Sequence, residues 1–312
     1  MPGSQPPPVI GGGSCDFQSG GSCTLVVNGL TRNYLLHIPP NYQPNVSALV
    51  LALHPSRLAG PGMESLSQLS AKADRAGFAV AYPSSENNNS GHSNWDIFYN
   101  DLTFTNFPTP PDDVGFLRGL IQTLQANLHP DPKKIYVAGF SSGAFMAHRV
   151  GVQLSDLVAA VAAVEGSLHA ALAGDNRNVP PALAPVSVLI LHGSADSSIP
   201  YCGEVSSSST TASQDETFNY WTGAQANSCS TVNTSAALCV SGQPSSVTLK
   251  DATGCRANAE VKIYQLIGGN HQWYNTPMNQ AAQVPFNPNL NASTGIVTDD
   301  IIWNFFASHP KP

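Results

Sequence analysis

The chain has 312 residues, of which 42% are hydrophobic and only 11% are charged, and its formal net charge is −7. This length and apolar content are enough for one large α/β domain with a single core. The negative charge gives no reason to expect nucleic acid or an anionic membrane as a partner. No apolar run is long enough to cross a bilayer. We therefore expect neither nucleic acid nor a membrane as a partner.

The first segment, residues 1–14, contains runs of three prolines and three glycines and lacks the basic and apolar regions of a signal peptide. We interpret it as a linker left after a signal peptide or another module was removed, and 15–312 as one folded domain. Six cysteines in a weakly charged chain favour disulfides and secretion, and their spacings contain no C-x-x-C pair typical of zinc sites. Six cysteines permit 15 connectivities. Cys15–Cys23 is the pairing that spacing favours, because it closes a short loop.

Strands and helices alternate through the first half of the chain. Asn28-Gly29 between two β-rich segments indicates a hairpin. The pattern of apolar residues predicts strands at 24–27, 33–37, 48–53 and 78–82 and helices at 65–76 and 112–128. The stretch 84–111 is polar and aromatic without a period, which predicts a long surface loop.

The second half continues the alternation. Apolar runs predict strands at 135–138, 157–164, 186–191 and 261–266, with helices after 143 and near 216–226. Strands that alternate with helices indicate a mostly parallel central sheet with helices on both faces. The segment 202–254 is rich in Ser, Thr and Ala, and we interpret it as a C-terminal insertion of the same domain, held by disulfides.

Gly139-Phe-Ser-Ser-Gly143 lies between a predicted strand and a predicted helix. G-x-S-x-G in this setting is the nucleophile elbow of an α/β-hydrolase, which makes Ser141 the candidate nucleophile. A serine hydroxyl needs a base, and the base needs an acid to orient it. Asp196 and His271 each follow a predicted strand, in the chain order of that fold. The sequence therefore predicts a Ser141–Asp196–His271 triad.

Three segments carry a family resemblance: residues 139–143, His192-Gly-Ser-Ala-Asp-Ser-Ser-Ile-Pro-Tyr201 and Gly268-Gly-Asn-His-Gln-Trp273. They resemble the extracellular polyhydroxybutyrate-depolymerase-like esterases, a group that includes feruloyl and acetylxylan esterases of carbohydrate esterase family one. The resemblance runs from about residue 22 to 308. It implies that Ser141 is the nucleophile, His271 the general base and Asp196 its orienting partner. It also implies a Cys229–Cys255 disulfide, which leaves Cys202–Cys239 as the third pair.

The chain departs from this family after its third strand. The family usually has His-Gly there, whereas this sequence has His54-Pro-Ser-Arg57. Proline has no N–H to donate, so the backbone amides of Ser142 and Ser56 are the expected donors to an oxyanion. Loop side chains near the site are the candidates for substrate contact: Arg57, Trp95, Trp273 and Tyr274.

These observations predict a secreted, monomeric serine carboxylesterase that uses no metal or cofactor. The expected substrate is a feruloyl or acetyl ester of a plant cell-wall polysaccharide, and polyhydroxybutyrate or a related polyester is the alternative. A catalytically inactive carbohydrate- or surface-binding module on a hydrolase scaffold is an alternative of another class, and a serine peptidase with the same triad is a third. Turnover of p-nitrophenyl acetate would separate an enzyme from a binding module.

Overall fold

The computed structural model describes residues 7–88, 90–99, 111–171, 179–205, 210–234, 247–274 and 297–312. The strands are β1 (Ile10–Ser14), β2 (Gly21–Val27), β3 (Leu30–His37), β4 (Leu49–Leu53), β5 (Ala79–Pro83), β6 (Ile135–Phe140), β7 (Ala160–Val164), β8 (Ala170–Ala171), β9 (Ser187–Gly193), β10 (Glu204–Val205), β11 (Thr210–Thr211), β12 (Thr231–Thr234), β13 (Val247–Thr253) and β14 (Val261–Leu266). The helices are α1 (Gly60–Ser67), α2 (Leu69–Ala76), α3 (Asp113–Leu128), α4 (Ser142–Gln153), α5 (Gln214–Thr222) and α6 (Thr298–Ser308).

One large sheet forms the centre of the molecule. Its strands in the described ranges follow the order β1-β2-β3-β5-β4-β6-β7-β9-β14-β13-β12. The six central strands, from β5 to β14 in this order, are parallel to one another. Antiparallel strands extend the sheet at both sides, while β8, β10 and β11 form a small separate sheet. The carboxyl ends of the parallel strands therefore meet along one edge, where α/β folds place their sites.

Helices cover both faces of this sheet, as the alternation of elements predicts. Leu51 and Val137 face the cluster that contains Phe116 of α3 and Met146 of α4. Their neighbours along the strands face the other cluster, which is built with α1, α2 and α6. Both faces of the central strands are buried, which explains why these strands are continuous apolar runs. None of the described helices has the length and hydropathy needed to span a membrane.

The hairpin at Asn28-Gly29 is confirmed, and both residues have positive φ, of 51° and 82°. Other elements differ from their predicted bounds. The predicted helix at 65–76 is two helices, because Gln68 adopts the left-handed conformation, ends α1 and precedes α2. Part of the predicted linker, Ile10–Ser14, pairs with β2 and so belongs to the sheet. β12 and β13 extend the sheet from within the segment interpreted as an insertion.

Candidate active site

The turn between β6 and α4 holds Ser141 in a conformation that few side chains adopt. Its φ is 55° and its ψ is −119°, and its amide donates to the carbonyl oxygen of Val164 on β7 at 2.9 Å. A Cβ at Gly139 would overlap the carbonyl of Gly143, and a Cβ at Gly143 would overlap the carbonyl of Leu53. Only glycine fits where backbones approach this closely. The geometry is that of the sharp strand-to-helix turn that the pattern predicts.

Asp196 lies on the loop after β9 and is held by backbone amides. Its Oδ1 accepts the amides of Ser198 at 2.7 Å and Ile199 at 2.9 Å. Its Oδ2 accepts Nδ1–H of His271 at 2.7 Å. Burial alone would raise the pKa of Asp196, but the hydrogen bond and charge of His271 outweigh it, and the pKa lies below its usual value. Asp196 therefore stays ionised beside the imidazole.

The loop after β14 carries His271 to the same place. Two hydrogen bonds of 2.9 Å join this loop to the loop of Asp196. The Ala195 amide donates to Gly269 O, and the Gly268 amide donates to Ser194 Oγ. The imidazole stacks on Phe140 with 5.1 Å between ring centroids. Since Phe140 precedes Ser141, the ring lies beside the elbow. With Nδ1 bonded to Asp196, Nε2 is the nitrogen that can accept a proton.

The segment His54–Arg57 packs against the start of α4, because Gly143 lies directly under the carbonyls of Leu53 and His54. The His54 imidazole is buried, donates from Nδ1 to Pro55 O at 2.8 Å and accepts the Ser85 amide at Nε2, at 2.9 Å. Burial lowers its pKa to about 4. His54 thus holds this loop as a neutral ring.

The aromatic residues expected to contact substrate are buried instead. Trp95, Trp273 and Tyr274 are each 1% exposed or less. The indole of Trp95 donates to His54 O at 2.9 Å, and that of Trp273 donates to Asp299 at 2.9 Å. The prediction that these three side chains face substrate is wrong, because their polar groups are satisfied inside the protein. Of the four candidates, only Arg57 has an exposed side chain.

Sequence reasoning missed one acid at the site. Glu165 follows β7 directly, has a φ of 52° and is fully buried. Its carboxylate, Asp196 and His271 each bring a polar atom within 4.8 Å of the other two. The hydrogen bonds within this group and to its neighbours already use these atoms. A charged residue directly after five buried apolar ones was the signal that could have found Glu165.

Two of the expected disulfides are present, Cys15–Cys23 and Cys229–Cys255. Cys202 is disulfide-bonded as well, whereas Cys239 lies outside the described residues. The Cys229–Cys255 bridge links the loop after α5 to the segment between β13 and β14. It therefore braces the strand that leads into the loop of His271.

Comparison with known proteins assigns the chain to a family. Residues 32–200 match the family described as Esterase PHB depolymerase. The chain is 30% identical to feruloyl esterase B of Piromyces equi over 176 residues, which cover 56% of this chain and 31% of the relative. It is 25% identical to feruloyl esterase D of Neurospora crassa over 181 residues, which cover 58% of each protein.

The fold also matches solved structures. The acetyl xylan esterase from Aspergillus awamori superposes with a TM-score of 0.53 at 18% identity, covering 80% of this chain and 92% of the other. The matches to curated relatives span between 22% and 58% of those proteins' own length. The family match itself covers more than half of the chain. This chain therefore belongs to the esterase PHB depolymerase family.

Proposed function

We propose that this protein is a serine carboxylesterase in which Ser141, His271 and Asp196 form the catalytic triad. The observation that carries the proposal is the 2.7 Å hydrogen bond between Asp196 and His271 beside a strained serine turn. An acid that fixes the tautomer of an imidazole next to a serine is the arrangement that nucleophilic acyl transfer needs. The family relationship supports the same reaction.

In the first half of the reaction, Ser141 Oγ attacks the ester carbonyl as its proton passes to Nε2 of His271. Asp196 stabilises the imidazolium that forms. The tetrahedral oxyanion accepts hydrogen bonds from the amides of Ser142, at the positive end of α4, and Ser56. The imidazolium then returns the proton to the leaving alcohol as the C–O bond breaks, and an acyl-enzyme remains.

In the second half, water replaces the alcohol. His271 takes a proton from the water, the resulting hydroxide attacks the acyl carbon, and the proton returns to Ser141 as the acid leaves. Every proton transfer in this cycle uses residues of the chain, so the proposal needs no metal or cofactor. We expect activity to persist in EDTA. A loss that zinc or calcium reverses would contradict this cycle.

The substrate that we favour is a feruloyl or acetyl ester of a plant cell-wall polysaccharide. The support is that several relatives are named feruloyl or acetylxylan esterases. The description of the family favours a second candidate, hydrolysis of polyhydroxybutyrate or a related polyester. Disulfides support secretion. We propose that the protein acts as a secreted monomer with one catalytic domain, which the pairing of β1 extends to Ile10.

The test compares wild type and Ser141→Ala on methyl ferulate, acetylated xylan and a polyhydroxybutyrate film. Removal of the nucleophile should lower kcat by roughly 10⁴-fold or more on whichever ester the wild type hydrolyses. Ser65→Ala makes the same chemical change at an exposed position of α1 and should keep full activity. Near-wild-type turnover in folded Ser141→Ala would disprove the triad, and the ranking of the three substrates decides between the candidates.

A further inference from the structure

Glu165 touches both loops that carry the proposed acid and base. Its two carboxylate oxygens accept the amide of Gly193, at the end of β9, at 3.0 Å each. Its Oε1 lies 2.6 Å from the hydroxyl of Tyr274. Gly193 is three residues before Asp196, and Tyr274 is three residues after His271. One buried side chain therefore links the two loops.

The hydrogen bonds around Tyr274 favour the presence of a second proton. Its hydroxyl oxygen lies 2.6 Å from Glu165 Oε1 and 2.9 Å from the carbonyl oxygen of Asn270. A hydroxyl has one proton to donate, and a carbonyl oxygen only accepts. If Tyr274 donates to Asn270, Glu165 must donate to Tyr274. A protonated Glu165 supplies the missing proton, either to Tyr274 or to the side chain of Asp196, with which Glu165 is also hydrogen-bonded. An ionised Glu165 leaves Tyr274 with one proton for two acceptors.

The charges around Glu165 favour the same state. The titratable groups that face it are Asp196, His192, His271 and Tyr274. Asp196 already carries a negative charge, and two carboxylates in one buried site do not both ionise without a cation. Burial, followed by the charge of Asp196, raises the pKa of Glu165 well above its usual value.

His192 supplies no such cation. Its Nε2 lies 3.5 Å from Glu165, but this nitrogen donates to Ile199 O at 2.8 Å, while Nδ1 accepts from the amide of Gln214 at 3.0 Å. An imidazole that accepts at one nitrogen and donates at the other is neutral. Burial lowers the pKa of His192 in agreement with that arrangement.

We propose that Glu165 is a positioning residue that remains protonated in the working enzyme and ties the loop of Asp196 to the loop of His271. This inference rests on the proposed function. Glu165 and Asp196 then carry one negative charge between them, and it lies on Asp196, which contacts the imidazole of His271. The neutral acid behind it fixes both loops without competing for the imidazolium proton.

Glu165→Gln tests the protonation state, because an amide is neutral and can both donate and accept. We expect kcat within about threefold of wild type and an unchanged midpoint of the acidic limb of kcat/KM against pH. If Glu165 were ionised, the substitution would remove a negative charge near the imidazole and lower that midpoint by about one pH unit or more. Such a shift would overturn the proposal.

Glu165→Leu and Tyr274→Phe test the positioning role, because each breaks the link between the loops. Each should lower kcat by roughly 10- to 100-fold with little change in KM. The double variant should lose no more than the worse single one, since both act through one link. Fully additive losses would contradict the link. Circular dichroism and thermal melting curves measure the folded fraction of each variant, to which every rate is normalised.

Infrared difference spectra provide a readout that does not depend on turnover. The wild type at neutral pH should show the carbonyl stretch of a buried protonated carboxyl group, and Glu165→Gln and Glu165→Leu should lack it. Absence of this difference would overturn the proposal even if a variant is unstable. Activity in Ser141→Ala would refute the proposed function instead, so the two failures are distinguishable.

Discussion

At the scale of single residues, the site depends on a backbone contact that leaves no room for a side chain. Gly143 lies against the carbonyl oxygens of Leu53 and His54, which are fixed in β4 and in the loop after it. This contact sets the distance between the start of α4 and the loop that carries Ser56. The position of the proposed oxyanion hole therefore depends on residue 143 having no side chain.

Gly143→Ala should damage both the site and the fold. The new Cβ would meet main-chain atoms that cannot rotate away, so α4 must move outward. We expect a loss of roughly 1–3 kcal/mol in the free energy of unfolding from overpacking and a fall in kcat of about 100-fold or more. Urea unfolding and esterase kinetics measure the two effects.

Gly12→Ala is the matched control for that substitution. A Cβ at Gly12 has no atom within 4 Å, so its stability and activity should stay close to wild type. Equal effects of the two substitutions would show that contact with β4 is not what makes Gly143 necessary.

At the scale of elements, the site depends on how the strands after β9 are braced. β14 lies between β9 and β13, and the loop at its carboxyl end carries His271. Two contacts fasten the segment before β14 to the loop after α5. They are the Cys229–Cys255 bridge and the hydrogen bond that the Arg256 amide donates to Asn227 O at 2.8 Å. A covalent link close to β14 limits how far its loop can move.

Replacing Cys229 and Cys255 together by serine should lower the melting temperature and the activity. A native disulfide contributes roughly 2–5 kcal/mol. A longer closed loop removes more chain entropy from the unfolded state. The bridge Cys229–Cys255 has a sequence separation of 26 and Cys15–Cys23 one of 8, so the first should contribute about 1 kcal/mol more to the free energy of unfolding. Melting curves of both double variants give the comparison, and a larger loss for the Cys15–Cys23 variant would contradict it.

At the scale of the whole molecule, the pH dependence of stability depends on three buried, neutral imidazoles. His54, His148 and His192 are fully buried, and burial lowers the pKa of each, to about 4 for His54 and about 3 for His148. In the unfolded chain these rings take up protons below about pH 6.5. Because the folded protein does not take up these protons, their uptake favours the unfolded state. The free energy of unfolding that each ring contributes above about pH 6.5 is therefore lost as the pH falls from about 6.5 to the folded-state pKa of that ring.

His54→Gln isolates this effect for one ring. We compare the free energy of unfolding of wild type with that of the variant. As the pH falls from about 6 to 4.5, the wild-type value should decrease relative to the variant's by roughly 1.4 kcal/mol per pH unit. Urea titrations of both proteins across this range give the difference. Parallel curves would show that His54 keeps its unfolded-state pKa in the native protein.

The sequence predicts features that depend on neighbours along the chain. Ser141, Asp196 and His271 each follow an apolar strand, so local patterning and chain order place all three at one edge of the sheet. The predictions of α3 and of the Asn28-Gly29 hairpin succeed for the same reason, since a helix cap and a tight turn are local structures.

Features that depend on lateral packing were missed. Glu165 joins the site because β7 lies between β6 and β9, which no local pattern reveals. Trp95, Trp273 and Tyr274 lie in loops, where sequence does not distinguish a buried aromatic ring from an exposed one. β1 is rich in glycine, and β12, Thr231–Thr234, is polar, so both gain their strand conformation from pairing and not from propensity.

The adjacency of β9 and β14 has a consequence for refolding. These two strands pair along the whole length of β14, yet residues 194–260 separate them in the chain. Contacts between distant residues form slowly, because the intervening loop must close before they can contribute stability. The pairing of Asp196 with His271 should thus be among the last steps of refolding. Regain of esterase activity should lag behind regain of the circular dichroism signal, and an oxidised Cys229–Cys255 bridge should shorten that delay by closing part of the loop in advance.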